Sequence, residues 1–152
     1  MSIDMEKIKK LRDETGAGIL EIKSMLEEVD DDFDKAKEEL LKKSASKAAK
    51  KSDRVAEDGL VYSYIHNSGK VGSLVLLSCE TDFVAKTDDF QKLCREVAMQ
   101  VCTEEYQNVE ELLQSEYIRD PSKKIQDLVN EATAKVGEKI EIRKFTKFSV
   151  GE

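Results

Sequence analysis

At 152 residues the chain is long enough to bury one real core, with room for a small satellite domain and little more. Its 32 acidic side chains outweigh 25 basic ones for a net charge of −7, which argues against nucleic-acid binding as the main activity, because phosphate contacts need a dominant basic face. No apolar run approaches the roughly 20 residues of a membrane span, and the N-terminus shows no apolar signal segment, so a cytoplasmic protein is expected.

The first helix is expected from Asp4 to Glu14, with Ile8 and Leu11 facing inward. Thr15-Gly16-Ala17-Gly18 ends it, since Gly16 is free to take the left-handed conformation that closes a helix. Ile22, Met25, Leu26 and Val29 recur at i, +3, +4, +7 and predict a second helix. Asp30, Asp31 and Asp32 interrupt that pattern and offer an N-cap to a third helix, which carries Phe33, Ala36, Leu40 and Leu41. Together these make a small three-helix bundle over residues 1–43. Gly16-x-Gly18 is a poor phosphate loop, with no strand before it and no Lys-Ser/Thr after it. The basic tract that follows holds Lys42, Lys43, Lys47, Lys50, Lys51 and Arg54 among Ser and Ala. It reads as a solvated, partly helical linker over residues 44–55, or as an electrostatic foothold for an acidic partner.

Residues 56–152 read as an α+β core. Glu57 to Asn67 and Lys70 to Cys79 are two strands of a hairpin turning at Asn67-Ser68-Gly69. Neither face of the second strand is plainly polar: Val71, Val75, Leu77 and Cys79 point one way, Leu74 and Leu76 the other. A sheet packed on one side only alternates apolar and polar, so both sides are expected to be covered, one of them by something other than this chain's own helices. Thr81 is placed to cap a short helical turn after the hairpin. Asp82 and Phe83 then sit in its first turn, either as a projecting probe for another molecule or as a helix-start charge beside a core aromatic. Phe90, Leu93, Cys94, Val97, Ala98, Val101 and Cys102 form one apolar helix stripe from Asp88 to Cys102. Val109, Leu112 and Leu113 mark a short helix. Asp120-Pro121 is expected to start the next one, along Ile125, Leu128, Val129, Ala132 and Val136, which Gly137 ends. A third strand covers Lys139 to Phe148, and the phase shift between Ile142 and Phe145 predicts a bulge or bend in it.

No catalytic constellation emerges. Cys79, Cys94 and Cys102 include no C-x-x-C pair and have only His66 to help them, so core thiols fit better than a zinc site. His66 has no Ser, Cys or carboxylate partner in sequence and its role stays open.

Several spaced motifs, in order, carry a resemblance over nearly the whole chain. They are Leu11-Arg12-Asp13-Glu14-Thr15-Gly16-Ala17-Gly18, Lys47-Ala48-Ala49-Lys50-Lys51 with Arg54-Val55-Ala56 and Gly59-Leu60, His66 with Gly69-Lys70-Val71-Gly72, Thr81-Asp82-Phe83-Val84, and Val136-Gly137-Glu138-Lys139-Ile140 with Arg143. This set closely resembles the elongation factor Ts family of nucleotide exchange factors. The resemblance implies a ubiquitin-associated-like fold for the N-terminal bundle and a three-stranded antiparallel sheet packed with helices after it. It implies a non-enzymatic activity: elongation factor Tu carrying GDP is bound, its magnesium and phosphate site is disturbed, and GDP leaves. GDP and magnesium belong to that partner, so no cofactor of the chain's own is expected, and neither a direct nucleic-acid nor a membrane partner. Thr81, Asp82, Phe83 and Val84 would be the exchange wedge, with Phe83 inserting, Asp82 perturbing the polar site, and Thr81 and Val84 shaping the turn. Leu11, Arg12, Thr15, Gly16, Ala17 and Gly18 would be the N-terminal contact loop.

Long members of the family carry a second core half, a helical hairpin and a C-terminal module, whereas one core half is read here. Short members pair as homodimers, which agrees with the two-sided apolar sheet. Ser78 stands where the family usually has Asn, and Ile22 where it often has Cys. Two rivals differ in class: a protein-binding adaptor built on the bundle, and a thiol enzyme built on Cys79, against which the acidic neighbour Glu80 argues.

Overall fold

A computed structural model describes residues 4–151. Helix α1 (Met5–Thr15) starts at Asp4, whose carboxylate accepts from the Glu6 amide at 2.9 Å, and stops at Gly16, which is left-handed at φ 76°. Helix α2 (Ile19–Glu28) and helix α3 (Phe33–Lys50) follow, the latter capped by Asp32, whose side chain accepts from Lys35 N at 3.2 Å. Ile8, Leu11, Ile22, Met25, Leu26, Ala36 and Leu40 close the centre of this bundle.

Helix α3 is longer than the apolar pattern predicts. It runs through Lys50, across most of the tract read as linker. Ala45, Ala48 and Ala49 there line an open cleft together with Val129, Asn130 and Thr133 of helix α7 (Ile125–Val136). Alanine is the best helix former, so the helix continues here without a buried face of its own. Ala45 and Ala49 are exposed and Ala48 is half-buried, so the scarcity of large apolar residues reflects a largely solvated stretch of helix. Ser44, buried on the same helix, donates to the Thr15 carbonyl at 3.1 Å.

The core domain is a sheet of β1 (Asp58–Ile65), β2 (Val71–Cys79) and β3 (Glu141–Ser149), antiparallel throughout, with β2 central. Leu76 pairs with Lys144 and Leu77 with Ile142, so Arg143 is the extra residue of a bulge, where the phase shift placed it. Helices α4 (Asp82–Ala85), α5 (Asp88–Val101), α6 (Val109–Gln114) and α7 complete the domain. One sheet face presents Val75, Leu77, Cys79 and Ile142 to Phe90, Leu93, Cys94, Val97, Ala98 and Val101 of α5, all buried. The opposite face is apolar and bare, with Val61, Ile65, Leu74 and Phe148 exposed.

The Asp120-Pro121 helix start is not realised; α7 begins at Ile125. Asp120 folds a local turn instead, accepting from Ser122 N at 3.2 Å and Ser122 Oγ at 2.6 Å, and its other oxygen pairs with Lys37 of α3 at 2.8 Å. With that carboxylate engaged, Asp127 caps α7 by accepting from Lys124 N at 2.8 Å. No described helix is long and apolar enough to cross a membrane.

Candidate functional site

The Thr81–Val84 stretch leaves the end of β2 and turns at once into α4, four residues long. So short a helix fixes many torsions for few internal hydrogen bonds and needs outside support. Part of that support is apolar: Val84 is 5% exposed and Ala85 is fully buried, so one side of the turn is rooted in the core. Phe83, between Asp82 and Val84, is 81% exposed. Of the two readings left open for it, the projecting one describes the structure; Phe83 is no core residue. Asp82 also stands at the surface, where its carboxylate pairs with Lys86 at 2.8 Å one turn on.

The rest of the support is polar. Thr81 Oγ1 accepts from Val84 N at 3.3 Å, the expected cap, and donates to Glu138 Oε2 at 2.8 Å. The other oxygen of Glu138 accepts from Glu80 N at 3.1 Å and from Thr81 N at 3.0 Å. Glu80 answers in the opposite direction, its carboxylate accepting from Lys139 N at 2.7 Å and facing Arg54 Nη1 at 3.4 Å. Arg54 also donates to the Gly137 carbonyl, and Lys139 Nζ donates to the carbonyls of Ser52 and Arg54. Thus the segment leaving the bundle, the base of the turn and the start of β3 share one polar knot.

The N-terminal loop is a separate surface. Leu11, Thr15 and Ala17 are buried: Thr15 Oγ1 donates to the Leu11 carbonyl at 2.6 Å and accepts from Ala17 N at 3.3 Å. These three shape the loop from within, while Arg12 and Gly18 are exposed and Gly16 is half-buried. The structure adds Leu20, 81% exposed in the first turn of α2 beside Gly18. Its signal in the sequence is an apolar residue that falls off the Ile22, Met25, Leu26, Val29 stripe.

Behind the loop lies a buried ion pair. Lys123 meets Glu131 of α7 at 2.6 Å, and its ammonium also donates to the Glu14 carbonyl in the last turn of α1. Burial pushes the Glu131 carboxyl up to about 7, against the pull of Lys123.

Cys79 and Cys94 are buried and held as thiols. Loss of solvent pushes the Cys79 thiol up to about 11, with Glu138 adding to the rise, and the Cys94 thiol up to about 12. Glu80, the sequence neighbour expected to raise the Cys79 thiol, is engaged with Lys139 N and Arg54 instead. Among the described residues no group of three or more His, Cys, Asp and Glu is arranged to hold a metal ion. His66 Nδ1 lies 3.2 Å from the Tyr64 hydroxyl at the hairpin end.

The profile of the family described as Elongation factor TS matches residues 80–152, which include the α4 turn and Glu138. Elongation factor Ts of Petrotoga mobilis is 40% identical over 197 residues, covering all of both chains. The chain belongs to the elongation factor Ts family. Elongation factor Ts of Syntrophomonas wolfei is 38% identical, covering 99% of this chain and 91% of that protein, and that of Thermotoga neapolitana 37%, covering 100% and 99%. Membership makes the chain a translation elongation factor, a protein of protein biosynthesis. Since the Petrotoga alignment spans 197 residues against 152 here, that elongation factor Ts carries residues with no counterpart in this chain.

Proposed function

We propose that this chain is a guanine nucleotide exchange factor that speeds GDP release from elongation factor Tu. The observation that carries the reading is Phe83, a bare aromatic on a turn whose next two residues are buried. An aromatic held out in this way can enter a partner without dragging its own core with it. Phe83 wedges between elements of the GTPase domain, and Asp82 brings a carboxylate toward the magnesium and phosphate site, where a second negative charge weakens anion binding. In this reading the chain acts by binding rather than as an enzyme, and GDP and magnesium are the partner's, with no cofactor of the chain's own. It works in the cytoplasm, with neither nucleic acid nor membrane as a direct partner.

Burying one aromatic contributes roughly 1.5–3 kcal/mol. A large fall in GDP affinity therefore requires a second grip. The N-terminal loop supplies it, through exposed Arg12, Gly18 and Leu20 on a frame built by Leu11, Thr15, Gly16 and Ala17. The bare sheet face of Val61, Ile65, Leu74 and Phe148 is covered by a second copy, giving a homodimer.

Thermodynamic reciprocity gives the test. A factor that weakens GDP binding must bind the GDP-loaded partner more weakly than the empty one, by the same ratio. Calorimetric titration of both forms should show that ratio for the wild type and a ratio near one for Phe83→Ala. Equal affinities of the wild type for both forms would identify an adaptor with no exchange activity.

A further inference from the structure

We infer that Glu138 is the positioning residue of the exchange turn, setting the orientation of Phe83 through Thr81; the inference rests on the exchange reading above. Three observations carry it. First, α4 has one turn, and Val84 and Ala85 alone root it in the core, a contact that fixes where the turn sits more than how it is rotated. Second, both oxygens of Glu138 are spent on the two residues just before Asp82: two backbone amides on Oε1 and the Thr81 hydroxyl on Oε2, at 2.8–3.1 Å. Third, the hydroxyl so held is the one that caps α4 at Val84 N, so the carboxylate acts on the helix through its cap. Hydrogen bonds to a charged acceptor are the strong class, and a chain of them polarises its members.

The clasp closes from both sides. Glu80, whose amide Glu138 holds, returns its own carboxylate to Lys139 N, the residue after Glu138. Two strand ends distant in sequence are thereby locked in register, and the exposed ring is delivered in one orientation. Such pre-organisation removes an ordering cost that a free turn would meet at the partner's surface.

A positioning role differs from a merely stabilising one in what it moves. Loss of a hydrogen bond to a charged group is worth about tenfold. Glu138→Ala is therefore expected to lower the maximal rate of GDP release at saturating factor by about tenfold or more, while the half-saturating concentration changes by under about threefold. Amide hydrogen exchange at Glu80 and Thr81, read by NMR, should rise by at least about tenfold in the same protein. Glu138→Gln should restore the release rate to within about threefold, because its carbonyl still accepts from both amides and the Thr81 hydroxyl can accept from its NH2. A folded Glu138→Ala protein with the wild-type maximal rate overturns the proposal. So does unchanged exchange at the two amides, whatever the release rates are. A wild-type chain that fails to speed GDP release overturns the exchange reading instead, and the amide result then decides whether Glu138 orders the turn.

Discussion

Phe83 and Val84 are neighbours with opposite fates, 81% and 5% exposed, and this sets opposite expectations for their replacement. Phe83→Ala should change stability by no more than about 0.5 kcal/mol in urea denaturation, as for an ordinary surface site, while removing exchange. Val84→Ala loses buried carbon and should cost about 2 kcal/mol in the same assay. From the sequence this contrast was half legible. The Thr81 cap and the first-turn placement of Asp82 and Phe83 were readable, but rotation about a one-turn helix is set by which side chain finds the core, and no periodicity exists over four residues. Glu138 was legible as part of a motif and not as the partner of Thr81, because hydrogen bonds across a span of 57 residues leave no local pattern. Glu131 carries a pH signature. Its carboxyl titrates near 7 in the fold against an ordinary 4.5, so the folded state binds the proton more tightly. Its contribution to stability is complete below about pH 4.5 and is lost as the pH rises through about 7. Glu131→Gln should flatten that part of the stability–pH curve, measured by denaturation at fixed temperature between those limits; an unaltered slope would contradict the assignment.

At the scale of elements, apolar stripes were the dependable signal. The i, +3, +4 rows behind α2, α5 and α7 correspond to buried faces, and the acid run before α3 supplies its cap at Asp32. The end of α3 carried no mark in the sequence, and the start of α7 went astray. The second half of α3 runs beside α7 with Ala45 and Ala49 exposed and Ala48 half-buried, so no apolar face marks where that helix ends. Asp120-Pro121 has the composition of a helix start, but its carboxylate is taken by Ser122 and Lys37, which delays α7 to Ile125. Helix ends offer a graded prediction. Gly137 closes α7 at φ 76° with open space where a side chain would stand, so Gly137→Ala should cost about 1–2 kcal/mol, the conformational penalty alone. Gly16 has the same φ, yet a Cβ there would lie 2.6 Å from the Glu131 carbonyl oxygen. Gly16→Ala should therefore destabilise more than Gly137→Ala in thermal or urea unfolding. It should also loosen the N-terminal loop from α7; equal costs would show that α1 can shift away freely.

On the scale of the whole molecule, bundle and core are packed together. Helix α3 lies along α7, Lys37 reaches Asp120, and Lys123 reaches the end of α1. Deleting residues 1–54 would strip α7 as well as remove the loop, so Leu20→Glu is the cleaner test of the second grip: partner affinity should fall while the fold is kept. The bare sheet face was legible as a conflict in β2, whose two sides are both apolar, and the helices cover one of them. Charges placed at Val61 and Phe148 should convert the proposed homodimer to monomer in sedimentation at micromolar concentration; a wild type already monomeric there would contradict the dimer. The central claim is that an exposed aromatic on a clasped turn ejects a nucleotide from a partner. It is tested most directly by stopped-flow release of a fluorescent GDP analogue from elongation factor Tu at saturating factor, comparing the wild type with Phe83→Ala. Strong acceleration by the wild type, lost in a variant that still binds, is the predicted result. Equal release rates with the two proteins would contradict the wedge.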